Sequence, residues 1–188
     1  VVISEISYHP ADVQFVYRAV DNCIDEYIEL QNLSGSAVPL YDDAHPTNTW
    51  RLRDAVDFRF PPGGSIPAGG FILVVPIDPA NVRQAAEFRA RNGVPAGITL
   101  YGPYQGQLDN SSDSVELVRP DAPNADGVPS ILVERVNIPM ISPGRPQPMG
   151  LAPCYSESRP APTAMTRPTG RRRSGRRVRV LAVASDLR

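Results

Sequence analysis

Residues 58–77 read FRFPPGGSIPAGGFILVVPI. Together with Val56, Phe58 and Phe60 form an alternating apolar set, with Asp57 and Arg59 between them. That is the period-two signature of a half-buried strand. PPGGSIPAGG follows from Pro61, and proline and glycine at that density punctuate a loop. FILVVPI from Phe71 is then a continuous apolar run suited to a central strand. Strand, loop and strand in direct succession point to a β protein.

The same grammar extends outward in both directions. Val2 to Tyr8 is a β-branched run closed by His9-Pro10, and in EYIELQN from Glu26, Ile28 and Leu30 alternate with Glu29 and Gln31. Asn32 to Ser36, NLSGS, reads as a turn. Trp50 and Leu52 share a face, Ile98 to Tyr101 is a short strand, and Val115 and Leu117 alternate in SVELV. Further on, Ile131, Val133 and Arg135 alternate against Leu132, Glu134 and Val136. One helix is expected, with Asp78 as its cap, Pro79 in the first turn, Gly93 as its stop, and a weak stripe of Val82, Ala86, Phe88 and Arg89. Short strands with a turn every 8–12 residues or so, plus one short helix, predict an antiparallel β-sandwich. Its expected core is Ile28, Leu30, Trp50, Phe58, Phe60, Leu73, Val75, Val115 and Leu117. Trp50 is expected to pack against the opposite sheet.

The chain has 188 residues, one domain plus a tail, and its 41% hydrophobic content supports a core. No apolar run reaches the ~18 residues of a membrane-spanning helix. A net charge of −1 conceals a division. Residues 1–137 hold eighteen acids and nine arginines, hence −9; residues 138–188 hold ten arginines and two acids, hence +8. Lysine is absent. Cys23 and Cys154 fall in different parts, which predicts neither a disulfide framework nor a zinc site. The Val-Val-Ile start without an initiator methionine reads as a fragment of a longer or processed product, so the lack of a signal peptide is uninformative. From Pro139 the pattern stops. Eight prolines fall between Pro139 and Pro168, and RRRSGRRVRV follows from Arg171. Proline at that density opposes helix and interior strand, so residues 138–188 are expected to be disordered.

Five segments carry a resemblance to the bacterial lamin-tail domain family. VVISEISYHP resembles that family's opening "ISEIMYHP" strand, and DEYIELQNLSGSAVPL from Asp25 its second strand and turn. Trp50-Arg51-Leu52 resembles its "W-x-L" strand, and FRFPPGGSIPAGGFILVV its "F-x-F-P-x-G-x-x-I-P-x-G-G-Y-x-V-V" stretch. GPYQGQLDNSSDSVELV from Gly102 resembles its "G-x-L-x-N-x-G-E-x-I-x-L" hairpin. The pieces recur in order over residues 1–137. Departures are Ser7 for a common Met, Ser112-Asp113 for Gly-Glu, and an insertion around Gln14–Ile24. The resemblance implies an immunoglobulin-like β-sandwich, usually one module of a larger secreted or surface protein.

The tail departs from the family, and the genetic code offers a reason. The third nucleotide of each codon joined to the first two of the next gives a shifted frame. In it, Met140–Ile141 must encode Asp, Met149–Gly150 Gly, Cys154–Tyr155 Leu and Met165–Thr166 Asp. All four fit the family's continuation, and the free positions permit Trp-Pro, Asp-Gly-Thr-Gly and Tyr-Gly-Asn-Asp-Pro-Ala-Asn-Trp. Residues from about 138 are therefore expected to be translated out of frame.

Sites of chemistry are sparse. His45 lies beside Asp42-Asp43, a combination that could suggest a relay or a metal, but Asp, His and Pro also cluster as turn formers, and His9-Pro10 reads as a strand end. No nucleophile elbow, zinc-protease motif or P-loop is present, and Gly63-Gly64-Ser65 is turn chemistry. Asp109 to Asp113 spaces oxygens as a calcium loop does, making Asp109 and Asp113 the metal candidates. Against them, Ser114 stands where such a loop needs Gly and Pro120 where it needs Glu. Asn110-Ser111-Ser112 matches a glycosylation acceptor. Arg171, Arg172, Arg173, Arg176, Arg177 and Arg179 are candidates for nucleic-acid phosphates. The expectation is a non-catalytic interaction or adhesion module, without cofactor, extracellular or at the cell surface. Its partner is a protein, a cell-envelope component or another domain of the parent chain. The alternative is a nucleic-acid-binding protein using the basic tail, which the −9 of residues 1–137 argues against.

Overall fold

A computed structural model describes residues 1–8, 10, 13–14, 19–20, 22–108, 113–138 and 176–179, with backbone only for 13–14, 19–20 and 176–179. The strands of the first half are β1 (Val2–Tyr8), β2 (Val13–Gln14), β3 (Ala19–Val20), β4 (Tyr27–Gln31), β5 (Val38–Pro39), β6 (Arg51–Asp54) and β7 (Val56–Arg59). Then come β8 (Ser65–Ile66), β9 (Phe71–Val74), helix α1 (Val82–Asn92), β10 (Thr99–Tyr101) and β11 (Gln105–Gly106). The last are β12 (Ser114–Pro120), β13 (Ser130–Asn137) and β14 (Arg176–Arg179), and a 3₁₀ turn covers Cys23–Asp25.

The fold is mostly β with one short α-helix among the described residues. A first five-stranded sheet runs β10-β9-β4-β1-β14 and a second runs β11-β7-β6-β12-β13; β2–β3 and β5–β8 are two-stranded pairs. Every described pairing is antiparallel except β9 with β10, which is parallel. This corrects a purely antiparallel expectation. A parallel pair needs a crossover rather than a hairpin, and α1 supplies it between β9 and β10.

Side chains of both sheets meet in one buried cluster. Ile3, Ile6, Ile28, Leu30, Ile72 and Val74 enter it from the first sheet; Leu52, Val56, Val115 and Leu117 enter from the second. Trp50, Phe60 and Ile66 join them. The period-two reading therefore placed Ile28, Leu30, Trp50, Phe60, Val115 and Leu117 correctly, while Phe58 is only partly buried. Leu73 and Val75 are buried in a different place. They lie in a second cluster with Tyr27, Ile77, Phe88 and Leu100, on the α1 side of the first sheet. FILVVPI is thus apolar throughout because β9 is covered on both faces.

Local chemistry shifts three other expectations. The cap of α1 is Asn81, whose side chain accepts from the Gln84 amide, while Asp78 accepts from Ala80 N in the turn before it. Gly93 ends the helix as expected, at φ 68° in the left-handed region that favours glycine. Phe88 is the helix's buried anchor, with Ala85 packed beside it, whereas Val82 is 81% exposed and Ala86 also faces solvent. In β13 a register shift opposite Leu117/Val118 breaks the alternation, so Val133 and Val136 both pack on the core.

At the C-terminal boundary, Ile138 is 3% exposed within the main cluster, and its amide donates to the Asp113 carbonyl. The packed unit thus includes Ile138, beyond the boundary expected at Asn137. Most of the tail expected to be disordered lies outside the described residues. Its described part, β14, pairs antiparallel with β1 from Glu5 to Tyr8. Cys23 is disulfide-bonded, where no disulfide framework was expected, and the chain's other cysteine, Cys154, lies outside the described residues.

Candidate functional site

The two sheets differ in what covers their outer faces. On the first, Tyr27 meets Phe88 of α1 edge to face, with ring centroids 6.3 Å apart. Buried polar groups beside this contact are engaged in holding the frame. The Tyr27 hydroxyl donates to Glu5 at 2.7 Å, Arg91 of α1 reaches Asp25 at 2.6 Å, and the Asn22 amide donates to Asp25 at 2.9 Å. The Tyr104 hydroxyl donates to Glu26 at 3.2 Å. Asn32, fully buried, donates to the carbonyls of Ser36, Ile66 and Pro67 and accepts from Ser34, locking the NLSGS turn onto a neighbouring loop.

Burial, and then the Glu26 carboxylate, push the Tyr104 phenol well above its ordinary 10.0. A raised folded pKa means the native state holds its proton while the unfolded chain releases it. Stability is then complete below about pH 10 and falls as pH rises from there toward the folded value. Alkaline unfolding should follow phenolate absorbance, and Tyr104→Phe should flatten that decline. An identical alkaline limb in the variant would assign it elsewhere.

The outer face of the second sheet carries charged side chains instead of a helix. Arg51 and Arg53 flank fully buried Leu52, and across the ladder Glu116 lies between buried Val115 and Leu117. Glu116, 6% exposed, accepts from Arg53 and Arg135 at 2.5 Å each, and Arg135 also lies 3.8 Å from Asp54. Asp57 takes both Arg51 nitrogens, at 2.8 and 2.5 Å. That pairing holds the Asp57 carboxyl below its usual range and raises the Arg51 guanidinium. Glu116→Ala should cost about 2 kcal/mol, since it leaves two guanidiniums facing each other without their shared acceptor. Chemical denaturation measures this; a loss below roughly 0.5 kcal/mol would mark the pairs as solvent-screened.

The arginines of the acidic part are distributed unevenly. Of the nine in residues 1–137, Arg51, Arg53, Arg59, Arg119 and Arg135 lie on the second sheet and Arg83, Arg89 and Arg91 on α1. Arg18 lies outside the described residues. At one end of the second sheet a cleft of about 280 Å³ opens, bordered by Thr49, Arg51, Arg59, Val118, Arg119 and Val128. Reading strands for their apolar positions alone passes over this site. Reading the polar phase of the same strands, Arg51, Arg53, Asp57, Arg59 and Glu116, would have pointed to it.

Among the described residues, only one pair of the candidates named from the sequence meets. Asp42 and His45 do meet, at 2.9 Å, in an exposed turn tied by backbone bonds among Asp42, His45 and Asn48. The His45 bond, then the Ala44 amide, hold Asp42 below its usual value. Asp43 is exposed nearby. Asp113 precedes β12, whereas His9, Asp109 and Arg171, Arg172 and Arg173 lie outside the described residues. Arg176, Arg177 and Arg179 are placed by backbone alone, in β14. Among the described residues, no three His, Cys, Asp or Glu side chains converge as a metal site, and no helix is long and apolar enough to cross a membrane. No family model, curated protein or solved structure matches the chain.

Proposed function

We propose that the chain is a non-catalytic interaction module, an immunoglobulin-like β-sandwich of the lamin-tail type within a larger secreted or cell-surface bacterial protein. One observation carries the proposal: the asymmetry of the outer faces. Helix α1 covers the first sheet, whereas the second presents a row of partly exposed arginines, Arg51, Arg53 and Arg135, paired with carboxylates on the strand ladder. Strands hold such side chains in fixed register, which is what selective recognition of a charged surface requires. The ordered lamin-tail resemblance supplies the module type and the expected setting; fold analogy by itself names no ligand. The partner face is expected to be acidic, a protein or cell-envelope surface complementary to the arginines.

Immobilised full-length chain should retain bacterial envelope fragments in a salt-sensitive manner. Arg51→Glu with Arg59→Glu should abolish retention, and Arg83→Glu on α1 should not. Equal retention by all three proteins, or none by the unmodified chain, would count against the proposal.

A further inference from the structure

The cleft at the end of the second sheet has a composition that structure alone does not explain. Arg51 of β6 and Arg59 of β7 stand directly opposite in register, an arrangement of like charges that weakens a sheet. Asp57 engages Arg51, while Arg59 and Arg119 form no salt bridge among the described residues. Thr49 borders the same cleft, is 6% exposed, and its Oγ1 has no hydrogen-bond partner among the described residues. A buried hydroxyl without a partner is unusual in a native fold, and it calls for an acceptor or donor. Ser130 adds a second hydroxyl, and Val118 and Val128 supply apolar floor and wall. The volume of about 280 Å³ lies just under the range of small-molecule sites.

We infer that this cleft binds a small oxyanion-bearing ligand: a carboxylate, sulfate or phosphate group on a body no larger than a sugar. Arg119 provides charge with no salt bridge among the described residues, Arg59 is shared only through space with Asp57, and planar guanidiniums suit bidentate contact with such oxygens. Arg51, held by Asp57, lends a third donor face, Thr49 and Ser130 offer hydroxyls, and the two valines pack against the ligand's carbon body. The inference concerns the cleft alone and stands whether or not the lamin-tail reading holds.

Trp50, the chain's only tryptophan, packs in the core and does not line the cleft, so occupancy is read by isothermal titration calorimetry. Sulfate, inorganic phosphate and glucuronate are titrated separately into the full-length protein at constant ionic strength. Saturable one-to-one binding of at least one is expected, with a raised thermal midpoint; which probe binds tightest identifies the head group. Arg59→Gln with Arg119→Gln should weaken binding roughly 10- to 100-fold. Neither residue forms a salt bridge among the described residues, so the double variant should keep its unliganded midpoint to within a few degrees, which is measured alongside. Arg83→Gln on α1 should bind as the unmodified chain does. The inference is overturned by linear, unsaturable responses to all three probes, or by equal weakening in the Arg83 variant, which would indicate general surface charge.

Discussion

Replacing Phe60 by Ala should destabilise the protein by about 3–5 kcal/mol, a large share of the roughly 5–15 kcal/mol available to a domain. Phe60 is 1% exposed and follows β7 of the second sheet. Its ring meets that of Tyr101, at the end of β10 in the first sheet, 5.4 Å away and nearly perpendicular. Phe58 adds a second edge-to-face contact at 5.1 Å. Truncation therefore empties a site where the two sheets touch. The thermal midpoint should fall by roughly 6–20 °C, at about 2–4 °C per kcal/mol for a chain of this size. Phe58→Ala, at a half-buried position, should cost less. A double-mutant cycle of Phe60→Ala and Tyr101→Ala should show coupling of about 0.5–1.5 kcal/mol. Strict additivity would mean that the rings do not bridge the sheets.

If residues from about 138 are translated out of frame, as proposed, restoring the frame there should raise stability. The lamin-tail pattern continues past the last strand into a tryptophan-bearing segment, and the shifted frame permits that segment while the encoded tail lacks it. The β1 edge away from β4 is the place left for added structure, and β14 of the encoded tail pairs there. Pairing along a strand edge uses backbone groups and so tolerates many sequences; side-chain burial does not. Burying one tryptophan contributes about 3 kcal/mol. The corrected chain should then melt roughly 6–12 °C higher. An unchanged midpoint, or coding DNA whose shifted frame lacks Trp-Pro and Asp-Gly-Thr-Gly, would sink the frame hypothesis.

Much of the fold was legible because strands with one buried face spell it in alternation. Ile28 and Leu30 against Glu29 and Gln31 specify the inner face of β4 without help from the rest of the chain. What stayed hidden depends on neighbours. FILVVPI announces a central strand, but nothing in it separates Ile72 and Val74 from Leu73 and Val75, which enter different clusters. The parallel β9–β10 pair follows from where α1 crosses, and Asp78 and Asn81 are equally good caps on paper. The bulge in β13 is a mismatch in strand length that no local pattern records. The candidate site was harder still. Arg51 and Arg59 come from the consecutive strands β6 and β7, but Arg119 comes from distant β12 and joins them only through the strand order β7-β6-β12. A −9 total, meanwhile, pointed attention away from any cationic surface.

The proposed site requires the two sheets to close one core, so that β6, β7 and β12 present a fixed outer face. Trp50 reports on that core, and α1 reports on the far side of the first sheet. Denaturant unfolding of the full-length protein, followed simultaneously by Trp50 fluorescence and the helical circular-dichroism band, tests it directly. A single cooperative unit gives coincident transitions with the same midpoint and slope. Two separated transitions, with the helix lost while Trp50 stays buried or the reverse, would contradict it.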